Sequence, residues 1–247
     1  MLFVVLALQV ALASPQSIAE IDTGKLKGDV ARLAWSPNGS EFYVQTVDRD
    51  RVGNVTAVRH YIVSIANKAV KGVDVEPAWA SKYWAWKSAQ TAPGLPSFRI
   101  DVRRHEETVK STASPTGGAL AKGGATDPAQ GTTMEDAANA AYNTQTMLVS
   151  DLRVKNELIG TWVNEPVIPG VTFTWSPEAL HLLAFARRDK KDGGAITVLD
   201  ASGQKQELTG PKNALLPAWS DDGKRLAWLE RRDKKKLDLM IADITVQ

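Results

Sequence analysis

Apolar positions along the chain fall in short clusters, and four of these share one pattern. Small or apolar residues precede a Trp, and turn-forming residues follow it. The four are Leu33-Ala34-Trp35-Ser36-Pro37-Asn38-Gly39, Pro77-Ala78-Trp79-Ala80-Ser81, Phe173-Thr174-Trp175-Ser176-Pro177 and Pro217-Ala218-Trp219-Ser220-Asp221-Asp222-Gly223. Trp35 and Trp79 stand 44 residues apart, as do Trp175 and Trp219, while 96 residues separate Trp79 from Trp175. Short apolar runs bounded by Gly, Pro, Asn and Asp read as strands and turns. Asn38-Gly39 and Asp222-Gly223 tolerate two successive positive φ angles, so a type I′ hairpin is expected at each.

Second strands are expected at Glu41 to Gln45, Tyr83 to Lys87, Leu180 to Phe185 and Arg225 to Leu229. Third strands are expected at His60 to Ile65, Met147 to Ser150, Ile196 to Leu199 and Leu239 to Asp243. Asn156 to Gly160 and Gln206 to Gly210 read as short fourth strands. Met147 to Gly160 aligns with Thr197 to Gly210 at a constant offset of 50 residues. That offset places the additional residues of the second unit between its second and third strands, at about 89–144.

Four strands recurring at a period near 44 residues is the pattern of β-propeller blades. A lone blade cannot bury both faces, and stacking blades around an axis buries them. The expected fold is therefore all-β, a propeller of about four antiparallel four-stranded blades led by Trp35, Trp79, Trp175 and Trp219. The last unit lacks a fourth strand, and Ile18 to Lys27 could supply it by pairing the two ends of the chain. A partial ring completed by a second chain, making a homo-oligomer, or by the insertion is the alternative.

The Ala-Trp-Ser-Pro-x-Gly hairpin followed by an apolar strand resembles the TolB-like β-propeller repeat, a relative of the WD-repeat. Leu33 to Val44 and Pro217 to Trp228 match it best. Unit two has Ala80-Ser81-Lys82 in place of the turn, and unit three has Ser176-Pro177-Glu178-Ala179 without the Gly. The resemblance implies protein–protein contacts at the cell envelope.

Met1 to Ala13 has no charged residue and ends in the small-x-small triplet Ala11-Leu12-Ala13. It is too short to span a bilayer and reads as a signal peptide cut near Ala13, although no Lys or Arg precedes the apolar run. That leaves 14–247 as the propeller domain, exported to the periplasm or the extracellular space, with no transmembrane segment after cleavage. The chain has 247 residues, no Cys and a formal net charge of +2. Bulk charge near balance does not point to nucleic acid, and the absence of Cys excludes disulfides and thiolate metal sites.

Candidate chemistry is sparse. The three His residues, His60, His105 and His181, form no His-x-x-x-His pair, so a zinc hydrolase site is not expected. No Gly-x-Ser-x-Gly elbow and no P-loop is present. Asp48-Arg49-Asp50 and Asp221-Asp222-Gly223 lack the oxygen ligands of a calcium loop. No catalytic residue, cofactor or metal is assigned. Asn38-Gly39-Ser40 and Asn54-Val55-Thr56 are glycosylation sequons. The periodic Trp residues read as packing between blades, and Trp162, outside the repeat, is the candidate exposed aromatic.

One feature stands out. Arg187-Arg188-Asp189-Lys190-Lys191 and Arg231-Arg232-Asp233-Lys234-Lys235 are identical pentapeptides 44 residues apart. Both join second to third strands, and Arg103 and Arg104 lie in the corresponding part of unit two. One propeller face would then carry Arg103, Arg104, Arg187, Arg188, Arg231, Arg232 and Lys234, able to hold carboxylates or phosphates. The expected function is a non-enzymatic extracytoplasmic scaffold that binds an envelope protein or an anionic polymer through that face. The alternative is a subunit or accessory of a peptidase or glycan-active enzyme. The Gly-, Ala-, Thr- and Ser-rich stretch Ser111 to Gln145 reads as an exposed loop, with a short helix at Met134 to Tyr142.

Overall fold

The structure is a computed structural model and describes residues 9–50, 55–110, 144–163, 173–186 and 194–246. Along the chain come β1 (Val10–Asp22), the single turn α1 (Thr23–Leu26), β2 (Asp29–Trp35), β3 (Glu41–Arg49), β4 (Val55–Ser64) and β5 (Val70–Val73). Then follow the helix α2 (Ala78–Lys87), β6 (Thr91–Ala92), β7 (Leu95–Arg99), β8 (Asp101–Lys110), β9 (Thr144–Val154) and β10 (Glu157–Val163). The remainder is β11 (Phe173–Trp175), β12 (Leu182–Ala186), β13 (Ile196–Asp200), β14 (Lys205–Glu207), β15 (Ala214–Trp219), β16 (Arg225–Arg231) and β17 (Lys236–Val246).

These strands form a four-bladed β-propeller. Blade I is β2-β3-β4-β5, blade II is β8-β9-β10, blade III is β11-β12-β13-β14 and blade IV is β15-β16-β17-β1. The ring closes within one chain: β1 pairs antiparallel with β17 from Val10↔Val246 to Asp22↔Lys236. The expected closure by Ile18 to Lys27 holds for Ile18 to Asp22 and extends back to Val10, whereas Thr23–Leu26 form α1 instead of strand. Val10–Ala13, part of the stretch read as a leader, are strand residues here.

The second strands of three blades are buried on both faces, as blades stacked between neighbours require. Phe42 to Val47, Leu182 to Ala186 and Leu226 to Leu229 are buried without a break. In blades III and IV continuous apolar runs, not alternation, mark these strands in the sequence, and in blade I the run includes the buried polar residues Gln45 and Thr46.

The turns correct one expectation. Gly39 and Gly223 have φ of +67° and +72°, but Asn38 and Asp222 do not enter the left-handed region. Pro37 and Asn38 are the central residues of the turn that forms, and Pro37, with its φ locked near −65°, suits the first of them and rules out a type I′ turn there. The chain instead makes a tight turn closed by Gly39 N to Ser36 O at 2.9 Å and Gly223 N to Ser220 O at 3.1 Å. The Ser after each Trp completes it. Ser36 Oγ accepts from Glu41 N at 2.9 Å, Ser176 Oγ from Leu182 N at 2.8 Å and Ser220 Oγ from Arg225 N at 3.0 Å. Blade III lacks the Gly, and His181 takes the left-handed conformation in its stead, at φ +47°.

The larger correction concerns blade II. Ala78–Lys87, expected to hold the blade's Trp and its second strand, is the helix α2. No Gly or Asn-Gly turn interrupts Trp79-Ala80-Ser81-Lys82-Tyr83, and Pro77 at the N-cap position is compatible with a helix start. The second strand of the blade is β8 instead, and its short hairpin β6–β7 forms a separate two-stranded sheet. The rest of the insertion, including the helix expected at Met134 to Tyr142, lies outside the described residues.

Helix α2 occupies the place of the missing inner strand. It packs against β2 and β11, the inner strands of blades I and III, while β15 packs against the same two strands from the other side. Ala80 is buried and Tyr83 nearly so, in one core with Leu33, Trp35, Tyr43, Ala218 and Leu229. Three strands and one helix thus line the inside of the four-bladed ring.

Candidate binding surface

Strands run alternately, so all second-to-third strand connections emerge on one end of the ring. Blade II differs from the others there. β8 pairs with β9 over ten residues, from Asp101↔Arg153 to Lys110↔Thr144. β10 covers β9 only from Val149 to Val154. The pairs from Glu106↔Leu148 to Lys110↔Thr144 therefore extend past it as a two-stranded arm, about 17 Å long at the usual rise per residue.

Every residue from Asp101 to Glu107 is exposed. Val102 is 40% and Leu148 38% accessible, among the exposed large apolar side chains of the described residues. No strand pairs with the other edge of β8 among the described residues. A helix cannot offer the ladder of backbone groups that an inner strand would, so α2 leaves this edge open.

The residues singled out in the sequence are divided by the structure. Arg103 and Arg104 lie on β8, and as neighbours in a strand they project to opposite faces of the arm. Arg187 and Arg188 fall outside the described residues. At the β16–β17 turn the positive charge is largely answered in place. Arg232 pairs with Glu20 and, at 3.7 Å, with Asp238. Lys236 pairs with Glu20 at 3.2 Å. Arg231 donates to the Lys234 carbonyl at 3.4 Å. Asp233 accepts from the backbone N–H groups of Lys235 and Lys236, and these hold its carboxyl below the usual range. Lys234 is exposed at the tip. The side chain of Trp162 falls outside the described residues. Trp35, Trp175 and Trp219 are fully buried, and Trp79 is half-buried on α2.

A second polar centre, which the repeat did not reveal, joins blade I to α2. Arg32, Gln45 and His60 face one another across β2, β3 and β4. Glu76, just before α2, gathers their donors. It accepts from Ser81 Oγ at 2.7 Å, and from Tyr43 Oη and Gln45 Nε2 at 3.3 Å each, with Arg32 at 3.9 Å. Tyr43 Oη also lies 2.7 Å from His60 Nδ1 and 3.0 Å from Gln45 Nε2. Tyr43 has one proton to give. Donated to Glu76, it leaves His60 to carry its proton on Nδ1. Burial pushes the Tyr43 hydroxyl pKa up and the Arg32 guanidinium pKa down. The signal for this centre was the alignment of Arg32, Gln45 and His60 across three strands, visible only once register is known. Arg32 Nε and Gln45 Oε1 are buried in it without a hydrogen-bond partner, and the Glu76–Ser81 contact ties it to α2.

At the other end of α2, Lys87 is wholly buried. Its Nζ lies 3.4 Å from Ser220 O and 4.2 Å from the centre of the Trp86 ring. Burial pushes its pKa down to about 8, against the opposing pull of Asp221 and Asp222.

No family model matches the chain, and no curated protein matches it. Among solved structures it is similar to the crystal structure of TolB from Acinetobacter baumannii, at 10% identity over 88% of this chain and 44% of that one, with a TM-score of 0.24. The chain thus spans less than half the length of that protein. The four-bladed ring is read from this chain's own sheets, and among the described residues β8 is an edge strand exposed from Asp101 to Glu107.

Proposed function

We propose that this chain is a non-enzymatic, extracytoplasmic binding module, in which the propeller is a rigid mount for the β8–β9 arm. The observation that carries this is the contrast between second strands. Those of blades I, III and IV are buried on both faces, whereas β8 is exposed from Asp101 to Glu107. An exposed edge strand adds a partner's strand through main-chain hydrogen bonds, with side chains selecting the partner. The partner is an envelope protein or an anionic polymer. Arg103 and Arg104 on β8, at the foot of the arm, contribute the bidentate contacts, with Lys234 exposed at the β16–β17 turn.

The test is capture from an envelope extract by the full chain and by a variant whose arm, Glu106 to Leu148, is replaced by an Asn-Gly turn. The same partner should be held by the full chain and lost by the shortened one. Equal capture by both would contradict the proposal.

A further inference from the structure

The charges on β8 follow an order that complements its own antiparallel copy. Asp101-Val102-Arg103-Arg104-His105-Glu106-Glu107-Thr108-Val109 carries two cations on one side of His105 and two anions on the other. We propose that two copies of this chain associate edge to edge through β8, about a two-fold axis at His105. This rests on reading the arm as the binding element and names its partner as a second copy.

Geometry restricts the pairing. A two-fold axis that joins two antiparallel edges stands perpendicular to the sheet, so residues directly opposite each other point to the same face. Only registers that set some residue opposite itself satisfy this. With His105 opposite its copy, Arg103 faces Glu107 and Arg104 faces Glu106, each twice by symmetry. Both faces of the ribbon then carry opposite-charge pairs, since Arg103 and Glu107 lie on one face and Arg104 and Glu106 on the other.

The neighbouring registers fail. Centred on Arg104, the pairing sets Arg104 against itself, Arg103 against His105 and Asp101 against Glu107. Centred on Glu106, it sets Glu106 against itself and Arg103 against Val109. Charged edges usually prevent strand pairing. Here they oppose the wrong registers and favour one. The His105 ring, 3.0 Å from Glu107 Oε1 in its own chain, meets its copy at the axis. The ring of blades already closes through β1 and β17, so the second copy is not needed to complete it and joins through the arm alone.

The experiment uses purified full chain and sedimentation velocity at low salt. R103E/R104E makes the stretch acidic, and E106R/E107R makes it basic. Wild type is expected to dimerise, with each double variant weakened on the order of 100-fold as four attractive pairs become repulsive. An equal mixture of the two variants restores all four pairs and is expected to give a mixed dimer. Because the chain contains no Cys, H105C should form an intermolecular disulfide on oxidation, its residue lying opposite itself. A monomeric wild type, dimers unchanged by both reversals, or a mixture that stays monomeric would each overturn the proposal. None of these results bears on capture of another protein by the arm, so the two readings fail separately.

Discussion

The Tyr83 hydroxyl donates to the Trp219 carbonyl at 2.9 Å, linking helix α2 across the ring axis to the inner strand of blade IV. The same oxygen lies 3.5 Å from Thr174 Oγ1 in blade III, so one side chain ties three parts of the ring together. Burial and the missing solvent push the phenol's pKa far up, which keeps it a donor throughout the accessible pH range.

Tyr83→Phe leaves the Trp219 carbonyl without this partner in the core. The expected cost is about 1–2 kcal/mol, read from urea unfolding with an unchanged slope. Thr174→Val, which removes the longer contact, should cost less.

Lys87 makes stability depend on alkaline pH. Its folded pKa of about 8 lies below the ordinary 10.5. Between those values the folded chain binds fewer protons than the unfolded one, so stability rises with pH across that window. Below pH 8 the cost of burying the charge is present in full. The rise should amount to roughly 2–3 kcal/mol, and Lys87→Met should abolish it while stabilising the chain at neutral pH. Denaturant midpoints from pH 7 to 10.5 measure both.

Much of the ring was legible because its determinants are local. The Trp-Ser pair places an indole in the core and a hydroxyl on the next strand's first N–H, and both needs recur in blades I, III and IV. Trp35 Nε1 reaches Ala218 O at 2.8 Å and Trp175 Nε1 reaches Ala89 O at 2.7 Å, each crossing to another blade. Blade II was misread because Trp79 keeps the spacing without the turn. Tyr83, Trp84 and Trp86 are as common in strands as in this helix, so composition could not separate the two. The openness of β8 follows from that substitution, which the sequence did not reveal. The basic face depended on charges whose partners, Glu20 and Asp238, are distant in sequence from Arg232 or hidden by pairing register.

Glu76 should behave as the node that seats α2. Glu76→Ala leaves Arg32 and Tyr43 buried without their acceptor and should cost about 2–4 kcal/mol. Glu76→Gln keeps one acceptor oxygen and should cost less. Thermal unfolding of both variants distinguishes the node from a surface carboxylate, for which the two would be alike.

Val10 should act as a clasp between blades III and IV. Its N–H donates to Gln206 Oε1 at 2.7 Å and its carbonyl accepts from Gln206 Nε2 at 2.8 Å, and its side chain is buried. A chain beginning at Ser14, the end that cleavage near Ala13 would produce, should be less stable than one beginning at Gln9 by about 2–4 kcal/mol. Gln206→Ala should narrow that difference. Equal midpoints for the two chains would show that Val10–Ala13 do not contribute to ring closure.

The exposed second strand of blade II is the feature on which the functional account turns, and site-specific photocross-linking in an envelope extract tests it most directly. A benzophenone side chain would be placed at Val102 on β8 or Leu148 at the start of the arm, and at Asn38 on the opposite end of the ring. The account predicts adducts to a partner, a second copy or another protein, from Val102 and Leu148 and none above background from Asn38. Adducts from Asn38 alone, or equally from all three positions, would contradict it.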